Sequence, residues 1–160
     1  MSDTRDVVST LLNEVLSGPA PAAAYFLNPG DAGLIKSLDR LSAAQASARA
    51  PGGGASIAAH VDHLRYGLEL LNRWSRGEDP FADADFAASW RQPAVSEEEW
   101  ARLRGKLRQE ARAWLKEVGE PRERSGAELT GALGGIVHLA YHLGAIRQID
   151  RTARGPAAND

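Results

Sequence analysis

A pair of histidines inside a long apolar stretch constrains this chain most. Residues 129–149 have the sequence LTGALGGIVHLAYHLGAIRQI, in which His138 and His142 are four positions apart. In an α-helix this spacing places both imidazoles on one face, one turn apart. Gly131 and Gly135 share that face, although each glycine inside a helix costs roughly 1 kcal/mol relative to alanine. The stretch predicts a helix with close contacts or open space beside two imidazoles, as in a metal site inside a helical bundle.

The composition limits the class of protein. The chain has 160 residues, which is enough for one domain with its own core. It has no cysteine, which excludes disulfides, thiolate ligands and a cysteine nucleophile. A formal net charge of −2 argues against a nucleic-acid or anionic-membrane partner held by charge. The N-terminal residues do not resemble a secretory signal, and the histidines interrupt the most apolar stretch, so we expect a cytoplasmic protein with no membrane partner.

Apolar periodicity predicts an all-α fold, a bundle of four main helices with a break near the first. Ser56, Ser96 and Ser125 are the predicted N-caps of the later helices, and Glu99 and Glu128 complete capping boxes at the last two. In the first fifty residues, Gly18-Pro19 ends the first helix and Asp31 is expected to cap a short second one. We expect residues 1–152 to form a single domain and residues 153–160 a frayed tail.

A third metal ligand is expected from the helix that follows Ser56, which contains two histidines. On the helical wheel His60 lies about 60° and His63 about 120° from the centre of the apolar stripe, on the same side. We therefore predict that His60 points towards the core edge and is the better third ligand. His63 is expected nearer the boundary, bonded to a carbonyl or acting as a proton shuttle, since an unperturbed histidine titrates near 6.5.

Two other regions bear on the site. Residues 75–95 have no helical periodicity and contain two prolines and several acids, and loops of this length are often functional lids or disordered. Trp90 in this loop is the aromatic residue that we expect to cover the pocket or a partner. Tyr141 lies about 60° from His138 on the wheel, and packing is favoured slightly over a phenol that reaches the pocket.

Two motifs resemble the DinB/YfiT-like family of four-helix proteins with a metal site. Residues 56–60 are SIAAH and residues 138–144 are HLAYHLG. Family members have one histidine near the start of a helix that follows a flexible loop, and a late H-x-x-x-H pair followed by glycine. The resemblance covers roughly residues 5 to 150, and it implies that His60, His138 and His142 bind one divalent ion: zinc, nickel, iron or manganese. One departure is Ala145, where the family often has glutamine; Gln148, one turn further on, could take its place.

The resemblance also implies a function. It suggests a metal-dependent enzyme, either a hydrolase or a thiol-dependent S-transferase, that acts on a small molecule. Three imidazole ligands leave at least one coordination position open, as catalytic sites do. Two alternatives remain: a non-catalytic bundle that binds a metal or small ligand in a stress response, and a bundle with purely structural histidines whose main property is homodimerisation. A homodimer is compatible with the kinship in each case.

Overall fold

The computed structural model describes residues 4–50, 52–91 and 94–157, and these fold into seven α-helices and one 3₁₀ turn. The four long helices are α1 (Thr4–Ser17), α4 (Ile57–Ser75), α6 (Glu97–Gly119) and α7 (Gly126–Ile149). The short elements are α2 (Gly33–Asp39), α3 (Ala43–Ala46), α5 (Phe86–Ser89) and the 3₁₀ turn Arg151–Ala153. No β-strand occurs in the described ranges, where pairing is limited to two isolated bridges. The all-α prediction is confirmed.

The helix starts follow the predicted capping residues. The hydroxyl of Ser56 accepts a hydrogen bond from the Ala59 amide at the start of α4. Capping boxes open α6 at Ser96 and α7 at Ser125, as the sequence indicated. Asp31 does not cap α2 as expected, because Ala32 is the N-cap and makes no side-chain bond. The Asp31 carboxylate instead accepts from the Gly33 amide at 2.8 Å and binds Arg147.

The long helices pack around a common core. Helix α4 packs against α6 and α7, and α1 packs against the same two helices. Trp100 of α6 is fully buried, and its indole nitrogen donates to the Leu41 carbonyl at 2.8 Å. The glycines of α7 allow close packing against α4: a Cβ on Gly131 would lie 2.8 Å from the Trp74 ring. The space expected beside the imidazoles is therefore partly filled by α4 side chains.

Helix α7 is apolar on more than one face. Leu133, Val137 and Tyr141 are exposed on its outer side, while Ile136, Leu139 and Leu143 are among its buried residues. By length and composition α7 is apolar enough to cross a membrane, and it is the one helix within the described ranges that meets this criterion. Core helices of soluble proteins are often as long and as apolar. The expectation that the histidines would interrupt such a stretch is wrong for α7, because the apolar residues around them outweigh two imidazoles.

The C-terminal end of α7 is tied to the rest of the molecule. Arg147 donates to the Asp31 carboxylate at 2.7 Å and to the Ala153 carbonyl at 3.1 Å. Ala153 is fully buried, and the side-chain amide of Asn28 donates to the Pro156 carbonyl at 2.8 Å. The described part of the expected tail, up to residue 157, thus contacts the domain, and residues 158–160 lie outside the described residues.

Candidate metal centre

All four histidines of the chain meet in one cluster between α4 and α7. His138 Nε2 lies 3.0 Å from His63 Nε2 and 3.0 Å from His142 Nε2. His60 contacts the opposite edge of the His142 ring, with 2.8 Å between the two Nδ1 atoms. One nitrogen from each of His63, His138 and His142 therefore faces a shared point.

Burial keeps these imidazoles neutral. Desolvation lowers the pKa of His60 and of His138 below the usual value. Desolvation, together with repulsion from the neighbouring imidazoles, lowers the pKa of His63 to about 4 and that of His142 to about 3. A neutral imidazole is the form that binds a metal ion, so at pH 7 little proton release has to accompany binding.

The spacing of the nitrogens fits a bound cation better than a hydrogen-bonded set. In the ring plane a nitrogen of a neutral imidazole offers either one hydrogen or one lone pair. His138 Nε2 can therefore direct its hydrogen or its lone pair at only one of its two Nε2 neighbours. The other 3.0 Å contact is then left without a well-aligned hydrogen bond. Nitrogens bound tetrahedrally to zinc at about 2.0–2.1 Å are roughly 3.3 Å apart, close to the spacing found here. Three histidines within 4.8 Å of one another fit a metal-binding site.

The structure differs from the sequence expectation in the positions of His60 and His63. The nitrogens that converge belong to His63, His138 and His142, whereas the nitrogen contact of His60 is with Nδ1 of His142. The expected burial was also reversed, since His63 is 8% exposed and His60 is half-buried. The wheel argument considered α4 alone, and it could not include the loop that covers the His63 side. The identity of the third ligand stays a prediction.

Residues 86–90, within the loop predicted at residues 75–95, cover the site. Within this loop, α5 places Trp90 against the cluster, with its ring stacked on His63 at 4.3 Å between centroids and 25° between planes. The rings of Trp90 and His60 are nearly perpendicular, with 5.3 Å between their centroids. Trp90 therefore covers the histidines, as expected for this residue, and is itself 37% exposed.

Ser89 was not identified from the sequence. Its hydroxyl lies 3.0 Å from His63 Nδ1, and the residue is 4% exposed. One serine in a loop without periodicity carries no signal of such a contact. The only sequence clue is the adjacent Trp90, which marked this part of the loop as a cover for the site.

The remaining candidates lie at the edge of the cluster. Tyr141 is 70% exposed, and its ring is perpendicular to that of His142 with 5.0 Å between the centroids. It therefore borders the site and is not packed in the core. Gln148, the nearest amide on α7 after Ala145, is exposed and receives a hydrogen bond from Arg154.

Comparison with known proteins agrees with the fold and the histidine cluster. The sequence model of the DinB superfamily matches residues 32–145. This match covers most of the chain, and the chain belongs to the DinB superfamily. The matched region includes all four histidines. No curated protein and no solved structure matches the chain.

Proposed function

We propose that this DinB-superfamily protein is a metal-dependent enzyme that acts on a small molecule, as a hydrolase or a thiol-dependent S-transferase. The observation that carries the proposal is the convergence of three Nε2 atoms, from His63, His138 and His142, on one point. Four long helices that pack in the order α1, α6, α4, α7 support a four-helix bundle as the scaffold.

The chain's own residues have distinct parts in this proposal. His63, His138 and His142 would hold a divalent ion, for which zinc, nickel, iron and manganese all suit imidazole ligands or occur in this family. When bound, the ion supplies a Lewis acid that polarises a carbonyl or lowers the pKa of a water or thiol. Trp90 excludes water from one side of the cluster by stacking on His63. His60 contacts His142 Nδ1, and through that contact it orients the ring.

Metal analysis of protein purified without a histidine tag tests the binding step. About one divalent ion per chain is expected. His63→Ala should abolish binding, since a ligand is lost, whereas His60→Ala should weaken it by roughly 10- to 100-fold, as loss of an orienting partner does. The reverse result would restore His60 as the third ligand. If neither the wild type nor the two variants bind metal, the histidines are only structural.

A non-catalytic bundle that binds a metal or small ligand is the alternative function. It is favoured by the position of Trp90, which covers the cluster from the side of α5. Incubation of metal-loaded protein with low-molecular-weight thiols and electrophiles separates the two. Metal-dependent product, absent in His63→Ala, supports the enzyme. No product across the panel, with stoichiometric metal, supports the binding protein.

We also propose that the protein is a soluble homodimer of the cytoplasm. The exposed apolar side chains of α7, Leu133, Val137 and Tyr141, support an interface on its outer face. Sedimentation equilibrium of the wild type and of Val137→Glu tests it. A dimer that dissociates in Val137→Glu is the expected result, and a wild-type monomer would contradict the proposal.

A further inference from the structure

We propose that Ser89 is a positioning residue, which fixes the ring tautomer of His63 so that Nε2 presents its lone pair to the centre; the ligand role of His63 rests on the function proposed above. Ser89 lies outside both motifs that indicated the metal site. Its role follows from the hydrogen bonds of α5.

The single hydrogen of the Ser89 hydroxyl has an assigned acceptor. Ser89 Oγ lies 2.7 Å from the Phe86 carbonyl oxygen, which can only accept. The hydroxyl therefore donates to Phe86, and its oxygen has lone pairs left for other donors. His63 Nδ1, at 3.0 Å, must then be the donor in the second contact.

This assignment determines the other nitrogen of His63. A neutral imidazole, the form that binds a metal ion, carries one hydrogen. With that hydrogen on Nδ1, Nε2 has a free lone pair. Nε2 is the atom that lies 3.0 Å from His138 Nε2, so the lone pair faces the other two imidazoles.

The serine is held in place from several sides. The Asp85 carboxylate caps α5 by accepting from the Ala88 amide at 3.0 Å. The Asp85 amide donates to the hydroxyl of Tyr66 at 3.1 Å, and Tyr66 is three residues after His63 on α4. These bonds attach α5 to the helix that carries His63, so the hydroxyl keeps a fixed position relative to the ring.

A fixed tautomer favours metal binding, because a ring with its hydrogen on Nε2 must first move that hydrogen. Removal of the group that orients a ligating histidine typically lowers metal affinity by about 10- to 100-fold. The hydroxyl of Ser89 is thus expected to increase zinc affinity without touching the ion.

The test uses full-length protein with three substitutions. Ser89→Ala removes the acceptor, and Ser89→Thr keeps the hydroxyl. Ser75→Ala is the matched control, since the Ser75 hydroxyl also donates to the carbonyl three residues before it, that of Asn72, at 2.9 Å. The readouts are the ¹⁵N shifts of the His63 ring nitrogens in metal-free protein at about pH 8, and zinc affinity by competition with a chelating dye.

The wild type should show hydrogen on His63 Nδ1. Ser89→Ala should show a mixed tautomer and zinc affinity lower by about 10- to 100-fold. Ser75→Ala and Ser89→Thr should match the wild type; if Ser89→Thr does not fold, the comparison of Ser89→Ala with Ser75→Ala decides.

A wild-type hydrogen on Nε2, or an unchanged tautomer in Ser89→Ala, would overturn the proposal. If the wild type binds no zinc but its tautomer changes in Ser89→Ala, the role of Ser89 stands and the metal-dependent function fails.

Discussion

At the scale of single residues, the site depends on keeping histidines neutral in a buried position. Burial contributes most to the low pKa values of His63 and His142, and repulsion from neighbouring imidazoles adds to it. All four histidines belong to the cluster, so no other side chain of the chain with an ordinary pKa titrates between pH 5 and 7. Acid sensitivity in that range reports on the cluster.

The metal-free protein should lose stability as the pH falls below about 6.5. An unfolded histidine has a pKa near 6.5, whereas the folded His63 and His142 have values of about 4 and 3. Between these limits the unfolded chain binds more protons, so acidification favours unfolding. From pH 7 to pH 5 we expect the unfolding equilibrium constant to rise roughly a hundredfold or more, since each of the two histidines alone contributes more than tenfold. Chemical denaturation at pH 7, 6 and 5 measures it.

A variant with one titrating histidine fewer provides the control. In His63→Gln the pH dependence should be shallower, because one proton-binding group is removed from the unfolded chain. Stability that stays constant from pH 7 to pH 5 in the wild type, or that rises on acidification, would contradict the neutral cluster.

At the scale of helices and loops, local rules predicted some elements well and missed others. Ser56, Ser96 and Ser125 cap their helices as expected, because capping depends on side chains a few residues away. Helix α5 was missed, because its four residues form only about one turn, which is too short to show an apolar periodicity. The helical wheel also reversed the burial of His60 and His63. The burial of His63 depends on its contact with α5, which is distant in sequence.

A buried carboxylate shows the same limit in the first part of the chain. Glu14 is 2% exposed and accepts from the backbone amides of Tyr25, Phe26 and Leu27. Glu14 lies within the predicted first helix, but no local rule indicates the path of the chain beyond Gly18-Pro19. Only the path of the chain after α1 brings those amides to the carboxylate.

Removal of the Trp90 ring should speed metal loss. The ring stacks on His63 and covers the cluster, so Trp90→Ala opens a path for water and chelators. We expect zinc transfer to an excess of chelator to be several-fold faster than in the wild type, as measured by stopped-flow absorbance.

Phe81→Ala is the matched control, because Phe81 is an aromatic residue of the same loop and is 45% exposed. Its transfer rate should equal that of the wild type. Equal rates in Trp90→Ala and Phe81→Ala would show that the indole does not limit access.

At the scale of the whole molecule, a buried ion pair joins the end of α7 to the turn before α2. The Asp31 side chain is 3% exposed and the Arg147 side chain 15%. Arg147 is five residues beyond His142, so the pair also holds the C-terminal half of α7 in place.

Asp31→Ala should destabilise the protein by about 3 kcal/mol, because it leaves a largely buried guanidinium without its partner. Asp39→Ala is the control, since Asp39 is 40% exposed in its pairs with Arg104 and Arg108. Exposed pairs contribute about 1 kcal/mol or less. Urea denaturation of both variants measures the difference, and equal losses would contradict the structural role given to Asp31.

The central claim is that three imidazoles from α4 and α7 share one divalent ion. Anomalous diffraction from crystals grown with zinc tests it most directly. The predicted peak lies about 2.0–2.1 Å from the Nε2 atoms of His63, His138 and His142, with His60 outside the coordination sphere. A peak bound to His60 in place of His63, or no peak among the four imidazoles, would contradict the claim.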